Sequence, residues 1–129
     1  MTERPKPNDD RALAMCVLWQ SNCDRLEENA KLASRYEQRV FDLGETSDER
    51  PEAQRQYIAA AKVRDRIADD LEILGRAIFA TAAQSYEGAS AKLAVAIRGE
   101  SPSLTDPNPP WPQLRSVLDD LTRLVAASA

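Results

Sequence analysis

Five carboxylates on two predicted helices are the residues best suited to chemistry in this sequence. Glu27 and Glu28 fall on the first predicted helix, and Asp65, Asp69 and Glu72 fall on the second. If the two helices pack side by side, these side chains could meet and hold Mg²⁺, which prefers oxygen ligands. The sequence therefore allows a metal-dependent reaction, provided that the five carboxylates converge.

The neighbouring residues favour a structural interpretation of the same acids. All-helical nucleotide pyrophosphohydrolases hold Mg²⁺ with paired Glu-x-x-Glu and Glu-x-x-Asp motifs on adjacent helices. Here Lys31 stands where a further acid would be wanted, and the acids of the second helix alternate with Arg66 and Arg76. A solvated helix face with opposite charges three or four residues apart explains this pattern. We therefore expect no enzymatic activity, and a Mg²⁺-dependent nucleotide hydrolase is the alternative.

Other common catalytic and cofactor-binding arrangements are missing from the sequence. It holds no histidine, which removes the usual general base of Ser/His/Asp and Cys/His arrangements. Cys16 and Cys23 are seven residues apart on one predicted helix, so that ~10 Å separates their α-carbons and they cannot form a disulfide with each other. We expect both thiols to be buried as small apolar residues. No catalytic residue, metal ligand or cofactor is assigned.

The composition describes one small acidic domain. A chain of 129 residues can build one modest core, and its net charge of -4 gives no reason to expect nucleic acid or anionic lipid as a partner. No apolar run approaches the ~18 residues that span a bilayer, and the N-terminal MTERPKPNDD lacks the apolar stretch of a secretory signal. We expect a cytoplasmic protein, with a flexible tail at residues 1–8 and one helical domain at 9–129.

Two long heptad-like stripes predict an antiparallel helical hairpin of coiled-coil type, at about 9–43 and 49–79. Asn8 or Asp9 is expected to cap the first helix. Its stripe steps by three or four residues through Ala12, Cys16, Trp19, Cys23, Leu26, Ala30, Ala33, Tyr36, Val40 and Leu43. The second stripe runs through Ala53, Tyr57, Ala60, Arg64, Ile67, Leu71, Leu74 and Ile78.

The turn between the stripes, GETSDERPE, contains a predicted cap, Asp48, and a proline that suits a first helical turn, Pro51. Arg64 is the charged exception on the second stripe. Such a side chain either extends to the surface or pairs with a carboxylate. We expect it to play a structural part in the hairpin.

The stretch ATAAQSYEGASAKL, residues 80–93, predicts a new helix. Ser85 can cap a short third helix at about 85–98, which Gly99 would end. The alternative is that the second helix continues through residues 80–85, because Ala, Thr and Gln do not break a helix.

The same stretch resembles the ATPATTxxGxxAKL segment of small uncharacterised helical proteins that are common in alphaproteobacteria. The shared residues are Ala80, Thr81, Ala83, Gly88, Ala91, Lys92 and Leu93, and PWPQLRSVLDDL near the C-terminus adds a second similarity. The resemblance implies a bacterial protein and a helix that restarts near Ser85. It implies no activity, since none is known for those proteins.

A proline-rich linker, GESPSLTDPNPP, precedes a last amphipathic helix at about 112–126. The helix carries a stripe of Leu114, Val117, Leu118, Leu121 and Val125. In DPNPPWPQL, residues 106–114, the prolines have the PxxP spacing of polyproline ligands. The first basic residue after them, Arg115, already belongs to the predicted helix. We therefore interpret the segment as a strap that starts this helix, with Trp111 packed beside Val117 or the hairpin.

These patterns together predict an all-α protein. Trp19 and Trp111 are expected to anchor a core that is poor in other aromatic residues, while Asp119 and Asp120 are expected to lie exposed. The most suitable function is a non-enzymatic protein–protein interaction or a regulatory role through helix contacts. The partner would be another protein or a second copy of the chain, because a hairpin of this length leaves apolar surface to cover.

Overall fold

A computed structural model describes residues 9–128, and this range is all-helical, as predicted. Its helices are α1 (Arg11–Asp42), α2 (Arg50–Phe79), α3 (Tyr86–Glu100) and α4 (Trp111–Ala127), and no strand occurs among the described residues. The predicted tail at 1–8 lies outside the described residues. Within residues 9–128, no helix is both long and apolar enough to cross a bilayer.

The predicted hairpin of α1 and α2 is confirmed. Every described position of the two stripes is buried or half-buried, and the most deeply buried are Ala12, Cys16, Trp19, Ala33, Ala53, Ala60, Ile67, Leu71 and Ile78. Many of these side chains are small, which allows the helices to approach closely. The steps of three and four residues therefore identified the buried faces correctly.

Helix starts differ from the prediction by one or two residues. Helix α1 begins at Arg11, so the residue before it is Asp10 rather than Asn8 or Asp9. Helix α2 begins at Arg50, directly after Glu49, and the Ser47 hydroxyl accepts a hydrogen bond from the Glu49 N–H at 3.3 Å. Asp48, the predicted cap, is exposed.

The helices contribute to two compact units. In the unit formed by Ser21–Ile73, which holds the turn of the hairpin, Arg64 pairs with Asp65 at 3.1 Å. Tyr57 forms hydrogen bonds with Arg64 and with the Glu37 carboxylate, and the bond to this acceptor raises the pKa of the Tyr57 hydroxyl. The charged stripe residue is thus paired, as expected for Arg64.

The other unit contains residues 9–20 and 74–128 of the described chain. Trp19 is almost fully buried and lies against two glycines, because a Cβ added to Gly75 or Gly99 would be 3.5–3.6 Å from its indole ring. The Arg98 guanidinium donates to Gln20 Oε1 at 2.7 Å. Trp19 is therefore a core anchor, as predicted, and α3 packs against α4 in the same unit.

The linker before α4 is held by its own hydrogen bonds. Asp106 accepts through Oδ1 from the Asn108 N–H at 2.8 Å and through its carbonyl from Arg115 Nη2 at 2.6 Å. The Trp111 N–H donates to the Asn108 carbonyl at 3.1 Å across a turn in which the Pro109–Pro110 bond is cis. Helix α4 starts at Trp111, one residue before the predicted start. These contacts support the strap interpretation of DPNPPWPQL.

Candidate interaction surface

A single buried carboxylate joins the beginnings of α1 and α3. Asp10 caps α1, because its Oδ1 accepts from the Leu13 N–H at 3.2 Å. Its Oδ2 accepts from the Gln84 N–H at 2.9 Å and from the Ser85 hydroxyl at 2.7 Å. Ser85 in turn caps α3, since its oxygen accepts from the Gly88 N–H at 3.0 Å. We call these residues the Asp10 junction.

The junction stabilises the ionised form of Asp10. Burial alone would raise the pKa of this carboxyl group, but hydrogen bonds from the Ser85 hydroxyl and from the N–H groups of Gln84, Leu13 and Ala12 outweigh it. The net effect is a lowered pKa. The positive ends of two helices also favour a negative charge at this position.

Position 88 must be glycine because a larger residue would overlap the Asp10 carboxylate. A Cβ at position 88 would lie 2.8 Å from Asp10 Cγ and closer still to Oδ2, which is closer than real atoms approach. Helix α2 ends at Phe79 and α3 starts at Tyr86, so residues 80–85 do break the helix. The predicted restart at Ser85 is confirmed.

Lys92 fixes the segment between α2 and α3. Its ammonium group donates to the Thr81 carbonyl at 2.8 Å and lies 5.9 Å from the centre of the Phe79 ring. Thr81, Gly88 and Lys92 all belong to the ATAAQSYEGASAKL stretch. Its residues therefore have structural roles in positioning α3.

Helix α4 has a strong apolar stripe, yet none of its residues is buried. Of the predicted stripe, Leu114, Leu118, Leu121 and Val125 are half-buried and Val117 is exposed. Leu124, which the predicted stripe omitted, is also exposed at 56%. One edge of the apolar stripe, formed by Val117 and Leu124, therefore faces outward.

An open apolar pocket lies beside this edge, with a volume of about 310 Å³. Its lining residues, which we call the α3–α4 pocket, are Tyr86, Leu121, Leu124, Val125 and Ser128. The Ser128 hydroxyl donates to the Val125 carbonyl at 2.9 Å, so it is engaged within the helix. The volume is near the lower limit for small-molecule sites and suits a few apolar side chains.

The five carboxylates that a Mg²⁺ site would need lie on the protein surface. Glu27, Glu28, Asp65, Asp69 and Glu72 are all exposed. Across residues 9–128, no three His, Cys, Asp or Glu side chains form a group that could hold a metal ion. These five carboxylates therefore do not form the converging site that the Mg²⁺ alternative requires.

The two cysteines are both free thiols. Cys16 is buried, and this burial raises the pKa of its thiol, although the charge of Lys92 opposes the shift. Cys23 is only half-buried, so the expectation of two buried thiols holds for Cys16 alone. A raised pKa keeps the Cys16 thiol protonated and poorly reactive at neutral pH.

The remaining predicted residues lie as follows. Trp111, which was expected to anchor the core together with Trp19, is only half-buried at the start of α4, whereas Asp119 and Asp120 are exposed on that helix, as expected. The sequence did not indicate Tyr86 and Ser128 as pocket residues. Their adjacency depends on how α3 packs on α4, which helix periodicity does not specify.

Comparison with known proteins gives no further assignment. The chain matches no protein-family model, no curated protein and no solved structure.

Proposed function

We propose that the protein acts by binding another protein, in an interaction or regulatory role without enzymatic activity, and that the α3–α4 pocket is the contact surface. The main support for this proposal is that helix α4 is amphipathic and yet has no buried residue. Burial of the apolar stripe is what normally stabilises such a helix. A partner that covers the exposed edge would supply that burial.

The occupant that best suits the pocket is an amphipathic helix of the partner. Val117, Leu121 and Leu124 follow one another at intervals of four and three residues, and Ser128 continues the row. Such a row forms a straight ridge beside which a second helix can lie. Tyr86 adds a large aromatic surface, 68% exposed, of the kind that dominates binding energy at interfaces.

A charge placed in the pocket tests the proposal. Leu124→Asp should abolish capture of the partner from extracts of the source cells, because it introduces an unpaired charge into the apolar contact. The matched control is Ala126→Asp, which adds the same charge on another side of α4, where residue 126 is exposed. A partner captured equally by both variants and by the wild type would contradict the proposal.

The oligomeric state distinguishes a foreign helix from a second copy of the chain. Light scattering at micromolar concentration should give a monomer for the purified protein if the pocket serves a foreign helix. A dimer that Leu124→Asp dissociates and Ala126→Asp does not would make a second copy the occupant instead.

Other parts of the proposal rest on the sequence. They are a cytoplasmic location, a bacterial origin similar to that of the small alphaproteobacterial proteins, and coiled-coil packing in the hairpin. The net charge of -4 supports a protein partner over nucleic acid. No observation on the described residues favours the nucleotide hydrolase as a second candidate.

A further inference from the structure

The turn of the hairpin carries a large apolar side chain on its surface. Phe41, in the last turn of α1, is 82% exposed, more than any other large apolar residue of the described range. At this exposure its ring stabilises the folded chain very little. Fold stability therefore gives no reason for a phenylalanine at this position.

Acidic residues surround Phe41 along the turn. Asp42, Glu45, Asp48 and Glu49 are all exposed. Asp48 and Glu49 come just before α2, where the positive end of a helix favours acids. Asp42 lies in the last turn of α1, where the helix end disfavours an acid but the Gln38 amide donates to its Oδ1 at 2.9 Å. Glu45 lies beyond the end of α1, in the turn, and helix stability gives no reason for an acid there.

The turn has a fixed conformation. Arg50 Nη1 donates to the Leu43 carbonyl at 3.1 Å, and the Ser47 N–H donates to the Gly44 carbonyl at 3.0 Å. Arg39 and Glu49 form an ion pair at 3.5 Å across the turn. Two arginines thus bind within the turn, and these contacts favour one conformation of it, which lowers the entropic cost of binding a partner.

We propose that Phe41, Asp42 and Glu45, which we call the hairpin tip, dock an arginine-bearing basic segment of another protein. An arginine can stack its guanidinium group on the Phe41 ring while it pairs with a neighbouring carboxylate. Charge complementarity selects such a partner over a second copy of this chain, because two acidic tips repel each other. The hairpin tip extends the proposed interaction function to residues separate from the α3–α4 pocket and does not depend on that pocket.

The experiment selects ligands for the whole chain from a phage-displayed library of random dodecapeptides. Peptides that contain arginine together with a large apolar residue should be enriched. Phe41→Ala should weaken the binding of these peptides by about tenfold or more. The control is Ile58→Ala, which shortens an exposed apolar side chain on α2 instead of α1. It should change binding by less than about twofold.

A second variant tests the electrostatic part. The double change Asp42→Asn with Glu45→Gln should weaken binding and flatten its decline between about 0.05 and about 0.5 M salt, where the Debye length falls from roughly 14 to 4 Å. Circular dichroism should show melting temperatures within about 3 °C of the wild type for all three variants, since the residues are exposed.

Three results would overturn the inference: no enrichment, enriched peptides without basic residues, or equal binding to wild type and Phe41→Ala. Leu124→Asp should leave peptide binding at the tip unchanged. Leu124→Asp therefore tests the α3–α4 pocket, and Phe41→Ala tests the hairpin tip. Either proposal can be refuted while the other stands.

Discussion

Replacement of Asp10 by alanine removes the carboxylate that α1 and α3 share. The change deletes the cap of α1 and leaves the Gln84 N–H and the Ser85 hydroxyl without their acceptor. Asp10 is only 1% exposed, so water does not readily replace the lost oxygen atoms. The full cost of unmade hydrogen bonds should therefore be observed.

The expected magnitude follows from these contacts. Loss of an N-cap costs about 1 kcal/mol, and loss of hydrogen bonds to a charged acceptor costs about 1.5–3 kcal/mol. The free energy of unfolding should therefore fall by about 3 kcal/mol, a large part of the roughly 5–15 kcal/mol that stabilises a domain. For a chain of this size the melting temperature should fall by roughly 10 °C.

Urea unfolding followed by circular dichroism measures the change. Asp9→Ala is the matched control, because Asp9 is adjacent and exposed, and its loss should cost less than about 0.5 kcal/mol. Asp10→Asn, which keeps one acceptor oxygen but not the charge, should fall between the two. If Asp10→Ala and Asp9→Ala were equally stable, the shared carboxylate would not hold the two helix starts together.

The same carboxylate should make stability depend on pH. The pKa of Asp10 is lowered in the folded chain, so the unfolded chain takes up the proton first as the pH falls. The contribution of Asp10 is therefore complete above the ordinary aspartate pKa of about 4 and is lost as the pH falls through the folded value. The difference between wild type and Asp10→Ala should shrink over that range, and a constant difference would contradict the reasoning.

Three other substitutions test neighbouring contacts by thermal and urea unfolding. Gly88→Ala should destabilise by about 2 kcal/mol because the methyl group displaces the Asp10 carboxylate; in an Asp10→Ala background it should become neutral or stabilising. Gly75→Ala places its methyl at an ordinary 3.6 Å from Trp19, so it should stabilise α2 by about 0.5–1 kcal/mol. A loss of stability there would show that Trp19 cannot adjust. Trp111→Ala should lower the melting temperature by a few degrees, whereas unchanged stability with a lost partner would favour the polyproline-ligand interpretation.

Repeated local patterns made most of the fold predictable. The stripes of α1 and α2 were identified because each step of three or four residues returns to one helix face. Ser85 was identified because its hydroxyl caps a helix that begins one residue later. Arg64 was expected either to reach the surface or to pair with a carboxylate, and it pairs with Asp65. Each inference used residues within a few positions of one another.

The parts that the sequence did not predict depend on contacts between distant residues. Asp10 and Ser85 are 75 positions apart, and nothing near either residue indicates the other. The need for glycine at position 88 was not predictable either, because the residues next to a helical glycine do not indicate which distant side chain lies beside it. The α3–α4 pocket likewise depends on packing between helices. Glu27 and Asp65 were candidate metal ligands only because they are carboxylates. The residue type does not determine whether such side chains lie close enough together to bind one ion.

The Asp10 junction also limits how this sequence can change over evolutionary time. An acid at position 10, a hydroxyl at 85 and a glycine at 88 contact one another, so substitution of any one of them reduces what the other two contribute to the junction. We expect related chains to keep or lose the three together. An aspartate followed about 75 residues later by Ser-x-x-Gly is therefore a signature by which distant relatives can be recognised, even where the helix faces between have diverged.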